Sequence, residues 1–269
     1  MKFPEFHPKD YNELARVVAS RLVETEGFVV FGIAGAQGTG KSTFTGMLAN
    51  ELSRTHSETV VSLSLDDFYL TRDERVSLSR DVHPLLLTRG VPGTHDAALM
   101  LSTIEQLRTG EAVEVPVFDK AMDDREPRSR RVGPARIVLC EGWCWGARPE
   151  PESRLRSPVN ALEAEQDVDG RWRHWVNNKL QEYQPLFTAD GLLYLAAPSF
   201  DAIMQWRWQQ EQELAANREG SEIMTREDIA GFVAFYQRIT GWMLEEIPTR
   251  ADMTISLGEG HEIDGMATR

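Results

Sequence analysis

From Phe28 to Gly40 the chain carries no charged residue, and its opening stretch, Phe-Val-Val-Phe-Gly-Ile, is apolar or glycine without alternation. Such a run predicts a strand covered on both faces, as in a parallel sheet. Before it, residues 8–26 place Leu14, Val17, Val18 and Leu22 at helical spacing, and Gly27 supplies the stop. After it, Phe44, Met47, Leu48 and Leu52 share one face of a helix over 43–52. The same reading predicts strands over 59–65, 135–140, 191–197 and 251–257, and loop or short helix over 68–95. Further helices are expected over 96–107, 171–187, 200–217 and 225–246, the last opened by a Thr225…Asp228 capping signal. Residues 150–169 are polar and acidic and read as an excursion, and the tail after Gly258 reads as frayed. Strands separated by helices imply an α/β fold, a mostly parallel sheet with helices on both faces. The expectation is one domain over 1–269, with an insertion near 150–170 and a lid-like helix over 200–218.

Composition narrows this picture. An apolar fraction of 41% over 269 residues supports a sizeable core. The two cysteines, Cys140 and Cys144, lack a second pair or a histidine cluster, which argues against a disulfide framework or structural zinc and fits a reducing cytoplasm. No run approaches 18 apolar residues, so no membrane span is expected. A net charge of −13 repels nucleic acid and anionic lipid at long range, so neither is expected as a partner.

Between the strand at 28–33 and the helix at 43–52 lies Gly35-Ala36-Gln37-Gly38-Thr39-Gly40-Lys41-Ser42, a complete G-x-x-x-x-G-K-S phosphate-binding loop followed by Thr43. Its glycines allow close backbone approach, and the helix N-terminus adds partial positive charge to amides aimed at one point. Lys41 is placed to neutralise β/γ-phosphates and Ser42 to offer a hydroxyl to Mg²⁺. The chain is thus expected to bind a nucleoside triphosphate, and no base-reading motif separates ATP from GTP. Two further strand ends carry acids, Asp66-Asp67 and Glu141. Ligands of open α/β sheets gather at such ends. One acid there can help hold Mg²⁺, and another can take the proton of an attacking hydroxyl.

The order of phosphate loop, Ser-Leu-Asp66-Asp67-Phe-Tyr69, Pro116–Arg125 (PVFDKAMDDR), Glu141-Gly-Trp and an arginine-bearing helix resembles the phosphoribulokinase/uridine kinase/pantothenate kinase superfamily of small-metabolite kinases. Within it, DDFYLT, HPLLLTRGVPGTHD, EGWCWGARP, VNALE and WRWQQE resemble the D-glycerate 3-kinase branch, over roughly residues 28–257. The resemblance implies a P-loop NTPase fold with lid and acceptor-site insertions, ATP and Mg²⁺ as cofactors, and a small hydroxy acid as substrate. It also implies that Asp66 is the general base and contacts Mg²⁺, that Glu141 lies near the metal, and that Arg207 reaches the phosphates from a lid helix. Asp67 is the competing base; alternation along an extended segment would send the two side chains opposite ways, which favours Asp66.

Tyr69, Arg89, His95, Phe118, Lys120 and Arg125 are the candidate acceptor contacts. A carboxylated acceptor needs a cation, and Arg89, Lys120 and Arg125 are the three on offer. His95 is either a hydroxyl contact or simply the start of the next helix. Arg128, Arg130 and Arg131 read as a solvated basic loop, and Trp172, Trp175, Trp206 and Trp208 as packing residues. A kinase of the same fold acting on a nucleoside or pantothenate-like acceptor, and a nucleotide-binding regulatory ATPase, are the rival readings. Nothing in the sequence sets an oligomeric state.

Overall fold

The structure, a computed structural model, describes residues 1–4, 6–217 and 225–269. Asp10 caps α1 (Tyr11–Glu24), which leads into β1 (Val29–Gly35), α2 (Lys41–Thr55) and β2 (Val60–Ser64). Then follow α3 (Arg72–Asp81) and α4 (Ala97–Arg108), with the short strands β3 (Val113–Val115), β4 (Phe118–Asp119), β5 (Asp124–Arg125) and β6 (Arg130–Val132). Next come β7 (Ile137–Gly142), the short helices α5 (Glu152–Leu155) and α6 (Ala161–Gln166), α7 (Arg171–Glu182) and β8 (Gly191–Ala196). The chain continues through α8 (Phe200–Asn217), α9 (Arg226–Glu246), β9 (Met253–Leu257) and β10 (Ile263–Thr268). The expected lid-like stretch extends to position 218, which lies outside the described residues.

The main sheet runs β10-β9-β8-β1-β7-β2, parallel except for β10. β1 is buried along its whole length, as its uncharged run implies. Period-2 alternation splits it between two cores. Val30 faces a cluster with Leu63, Val138, Trp143 and Trp145, roofed by residues of α4, α7 and α9. Val29, Phe31 and Ile33 face another with Leu14, Leu48, Leu139 and Ile255, roofed by α1, α2 and α8. Chain order jumps from β7 across β1 to β8, so a topological switch point falls at the carboxyl end of β1.

Two expectations need correction, the frayed tail and the extended Asp66-Asp67 segment, while loop or short helix over 68–95 is met by α3. The tail is not frayed: β10 pairs antiparallel with β9 at the sheet edge, half exposed and with irregular register near Ile263, which hides it from a pattern reading. The stretch 68–95 holds α3, ten residues long, capped by a Thr71…Glu74 box. The Asp66-Asp67 segment is a 3-10 turn (Leu65–Phe68), not extended chain. Among the described residues, no helix is long and apolar enough to cross a membrane.

Candidate active site

The phosphate loop closes over itself through Thr39 Oγ1, which donates to the Ala36 carbonyl at 2.9 Å. Gly38 needs glycine twice over: its φ is +82°, and a Cβ would lie 2.9 Å from Trp206 Cβ. Gly40, at φ +79°, is the N-cap of α2, so the loop leads directly into a helix N-terminus. The loop also has an outside support. His261 Nε2 donates to the Gly38 carbonyl at 2.7 Å, and its ring stacks on Trp206 with centroids 4.2 Å apart. Trp206 Nε1 donates in turn to the Glu259 carbonyl at 2.6 Å. Trp206 is therefore packing, as anticipated, but packing that ties α8 and the β9–β10 turn to the phosphate loop.

Glu141 sits in register with Ile33 of β1 and Ser64 of β2, so it ends the strand beside the loop. Ser42 Oγ donates to Glu141 Oε1 at 3.0 Å, while the buried Oε2 has no hydrogen-bond partner. An unpartnered buried carboxylate oxygen is costly unless something positive meets it. A hard cation with oxygen ligands fits that place, and Mg²⁺ keeps waters and phosphate oxygens alongside a few protein donors. Among the described residues no group of three or more His, Cys, Asp or Glu could hold a metal by itself. Ser42 and Glu141 would therefore share the ion with the triphosphate and water.

Asp66 and Asp67 part company because successive residues of a 3-10 turn project in different directions. Lys120 Nζ meets Asp66 Oδ2 at 2.6 Å, and Tyr69 OH donates to Oδ1 at 2.8 Å. Burial works to raise the Asp66 carboxyl, but the charges of Lys120 and Lys41 outweigh it and hold the group at about 2. Asp67 instead pairs with Arg130 at 3.1 Å, and burial pushes its carboxyl up despite that partner. Arg130, read from sequence as part of a solvated loop, also donates to the Ser62 carbonyl at 3.0 Å.

Around Asp66 the side chains named from sequence come together. Tyr69 stacks on His95 with centroids 4.7 Å apart and meets the edge of Phe118 at 5.0 Å. Burial, then the Asp66 charge, keeps Tyr69 a neutral phenol. His95 Nδ1 lies 3.2 Å from Tyr183 OH, Nε2 is buried without a partner, and burial holds the imidazole down at about 4. Asp96 caps α4, through Leu99 N at 2.9 Å, so His95 lies just ahead of the helix. The Arg89 guanidinium lies 5.3 Å from the Phe118 ring centroid and pairs with Asp123. Arg125 is spent within the protein: Nε donates to the Tyr69 carbonyl at 2.6 Å, Nη2 to that of Phe68 at 3.4 Å, and Nη2 lies 3.6 Å from Asp96 Oδ2.

Arg207 pairs with Glu211 at 3.1 Å on its own helix and lies 5.9 Å from the Phe232 ring of α9. Cys140 and Cys144 are buried free thiols. Sequence reasoning missed Arg75, the buried residue of α3. It donates to the Leu87 carbonyl at 2.7 Å and pairs with Asp123 at 3.0 Å, so it joins α3, the Arg89 segment and the β4–β5 turn.

Residues 30–147 match the model of the phosphoribulokinase / uridine kinase family. A Schizosaccharomyces pombe protein described as an uncharacterized kinase is 36% identical over 220 residues, 77% of this chain and 78% of that one. The chloroplastic D-glycerate 3-kinase of Arabidopsis thaliana is 29% identical over 222 residues, covering 77% of this chain and 46% of that protein. The solved D-glycerate 3-kinase of Cryptococcus neoformans has the same fold, with a TM-score of 0.81 at 24% identity over 97% of this chain and 100% of that one.

Proposed function

The chain belongs to the phosphoribulokinase/uridine kinase family, in the branch that holds D-glycerate 3-kinase, and on that premise we propose that this kinase phosphorylates a small hydroxy acid. The acceptor is D-glycerate, the donor ATP and the product 3-phosphoglycerate. The observation that supports this reading is a carboxylate, Asp66, held by Lys120 and by Tyr69, whose ring meets His95, Phe118 and, at 6.0 Å, the Arg89 guanidinium.

Lys41 and the loop amides hold the triphosphate. Ser42 Oγ and Glu141 would hold Mg²⁺, which would supply charge neutralisation at the β/γ-phosphates. Asp66 takes the proton of the acceptor hydroxyl as its oxygen forms a bond to the γ-phosphorus. The bond from that phosphorus to the bridging oxygen breaks, and ADP leaves with the electron pair. A positioned base is worth about 10²- to 10⁴-fold in rate. Arg207, on the lid-like α8 that Trp206 packs against the phosphate loop, shields the migrating phosphoryl charge, and that cover keeps water from competing as acceptor.

The test is ADP release with ATP and Mg²⁺ against D-glycerate, L-glycerate, uridine, pantothenate and ribulose 5-phosphate. Turnover confined to D-glycerate supports the assignment. Turnover on another member keeps the mechanism and replaces the acceptor, while acceptor-independent ATP hydrolysis alone would point to a regulatory ATPase.

A further inference from the structure

Both oxygens of Asp66 already carry a protein donor, and the two donors differ in kind. Tyr69 is buried and wedged between His95 and Phe118, so its hydroxyl is a fixed support. Lys120 is the opposite: its side chain is 63% exposed on the short β4–β5 hairpin, and its only ion pair among the described residues is with Asp66. A long flexible stem in solvent thus ends on the candidate base. The neighbouring cation is also committed, since Arg89 pairs with Asp123, which Arg75 shares. Asp66, Asp67 and Asp123 are thus each matched by a cation.

A neutral acceptor has no charge with which to draw Lys120 away from Asp66. An acceptor bearing its own carboxylate does, and the exchange of one carboxylate for another at an exposed ammonium is close to neutral in Coulomb energy. In a three-carbon hydroxy acid the carboxylate and the terminal hydroxyl are near enough for one to meet Lys120 while the other meets Asp66. We propose that Lys120 is a substrate-operated cap on Asp66, lifted by the acceptor's carboxylate, so that anionic hydroxy acids uncover the base and neutral alcohols and water do not. This rests on the reading of Asp66 as the base and adds to it: Lys120 sets acceptor specificity and suppresses wasteful ATP hydrolysis. The ion pair seen here is the resting, capped arrangement. No bond is made or broken in uncapping; Lys120 keeps its proton and exchanges one carboxylate partner for another.

The experiment compares wild type, Lys120→Met and Lys120→Arg, with D-glycerate and its neutral amide as acceptors and with no acceptor. In wild type the acid should be used and the amide should not. Lys120→Met should lower kcat/KM for D-glycerate by about 10- to 100-fold, the worth of one charge-assisted hydrogen bond, mainly through KM. It should also raise acceptor-independent ATP hydrolysis by about tenfold, as expected when a general base is uncovered, and narrow the gap between acid and amide. Lys120→Arg should keep the preference for the acid. Because Lys120 is exposed, thermal unfolding of each variant beside wild type separates loss of fold from loss of the cap. If Lys120→Met still discriminates acid from amide as wild type does, with no rise in background hydrolysis, the cap is overturned while the kinase assignment stands. If wild type uses no hydroxy acid at all, the assignment itself fails, and the cap with it.

Discussion

Removing the Arg238 side chain should unfasten α9 and cost the protein much of its stability. All three guanidinium nitrogens are engaged: Nε and Nη2 grip both oxygens of Glu163 at 2.7 and 2.6 Å, and Nη1 meets Glu150 at 2.7 Å. Nη1 and Nη2 also donate to the Arg154 and Ser157 carbonyls. The three charged side chains are 7%, 1% and 3% exposed, so the two carboxylates cannot turn to water once the arginine is gone, and Glu150 keeps only Arg154, at 3.4 Å, as a cation. Breaking such a buried pair from one side costs about 3–5 kcal/mol. For 269 residues, with an unfolding entropy of about 2 cal/mol/K per residue, Arg238→Met should lower Tm by about 5–9 °C. The same helix carries Tyr236, whose hydroxyl donates to the Arg89 carbonyl at 3.1 Å, so KM for the acceptor should rise as well. Differential scanning calorimetry of Arg238→Met and of Arg238→Met with Glu150→Gln and Glu163→Gln is the assay. The multiple variant should recover a large part of the loss, because the stranded charges are gone. A fall below about 2 °C in the single variant, or no recovery in the multiple one, would refute the reasoning.

Three other outcomes follow from the same geometry. Burial holds His95 at about 4, below its ordinary value of 6.5, so the unfolded chain binds the extra proton first and His95 costs stability as pH falls from about 6.5 to 4. Urea unfolding of His95→Phe should therefore gain on wild type by up to about 3 kcal/mol across that window; parallel curves would contradict it. Glu141→Gln should raise the Mg²⁺ concentration for half-maximal rate by about 10- to 100-fold, read from Mg²⁺ titrations, and an unchanged midpoint would remove Glu141 from the metal's surroundings. His261→Ala frees the Gly38 carbonyl and should raise KM for ATP by a few-fold to about tenfold with little effect on acceptor KM; equal effects on both substrates would deny it a role specific to the phosphate loop.

The elements that position the site were legible where one segment carries its own explanation. The uncharged run of β1, the glycines of the loop and the acid ending β7 each need only local chemistry, and the structure sets them side by side. Asp66 was singled out by resemblance and by an alternation argument whose premise fails, since the segment is a 3-10 turn. The separation of Asp66 from Asp67 follows instead from that turn, which sends them to different partners, Lys120 and Arg130. What stayed hidden depends on distant pairing. His261 and Gly38 are 223 positions apart, and Arg75 meets Asp123 across 48. No periodicity announces such contacts. α3 is a different case: its capping box, Thr71…Glu74, was readable, but a helix burying only an arginine leaves no apolar stripe to find.

The central claim is that Asp66 serves as base for phosphoryl transfer to a small hydroxy acid. Its most direct test is the steady-state rate on D-glycerate of wild type, Asp66→Asn and Asp67→Asn, with the product identified by ³¹P NMR. The account predicts 3-phosphoglycerate from wild type, a loss of kcat of about 10²- to 10⁴-fold in Asp66→Asn, and a far smaller loss in Asp67→Asn. An Asp66→Asn enzyme within about tenfold of wild type, or a loss in Asp67→Asn as large as in Asp66→Asn, would contradict it.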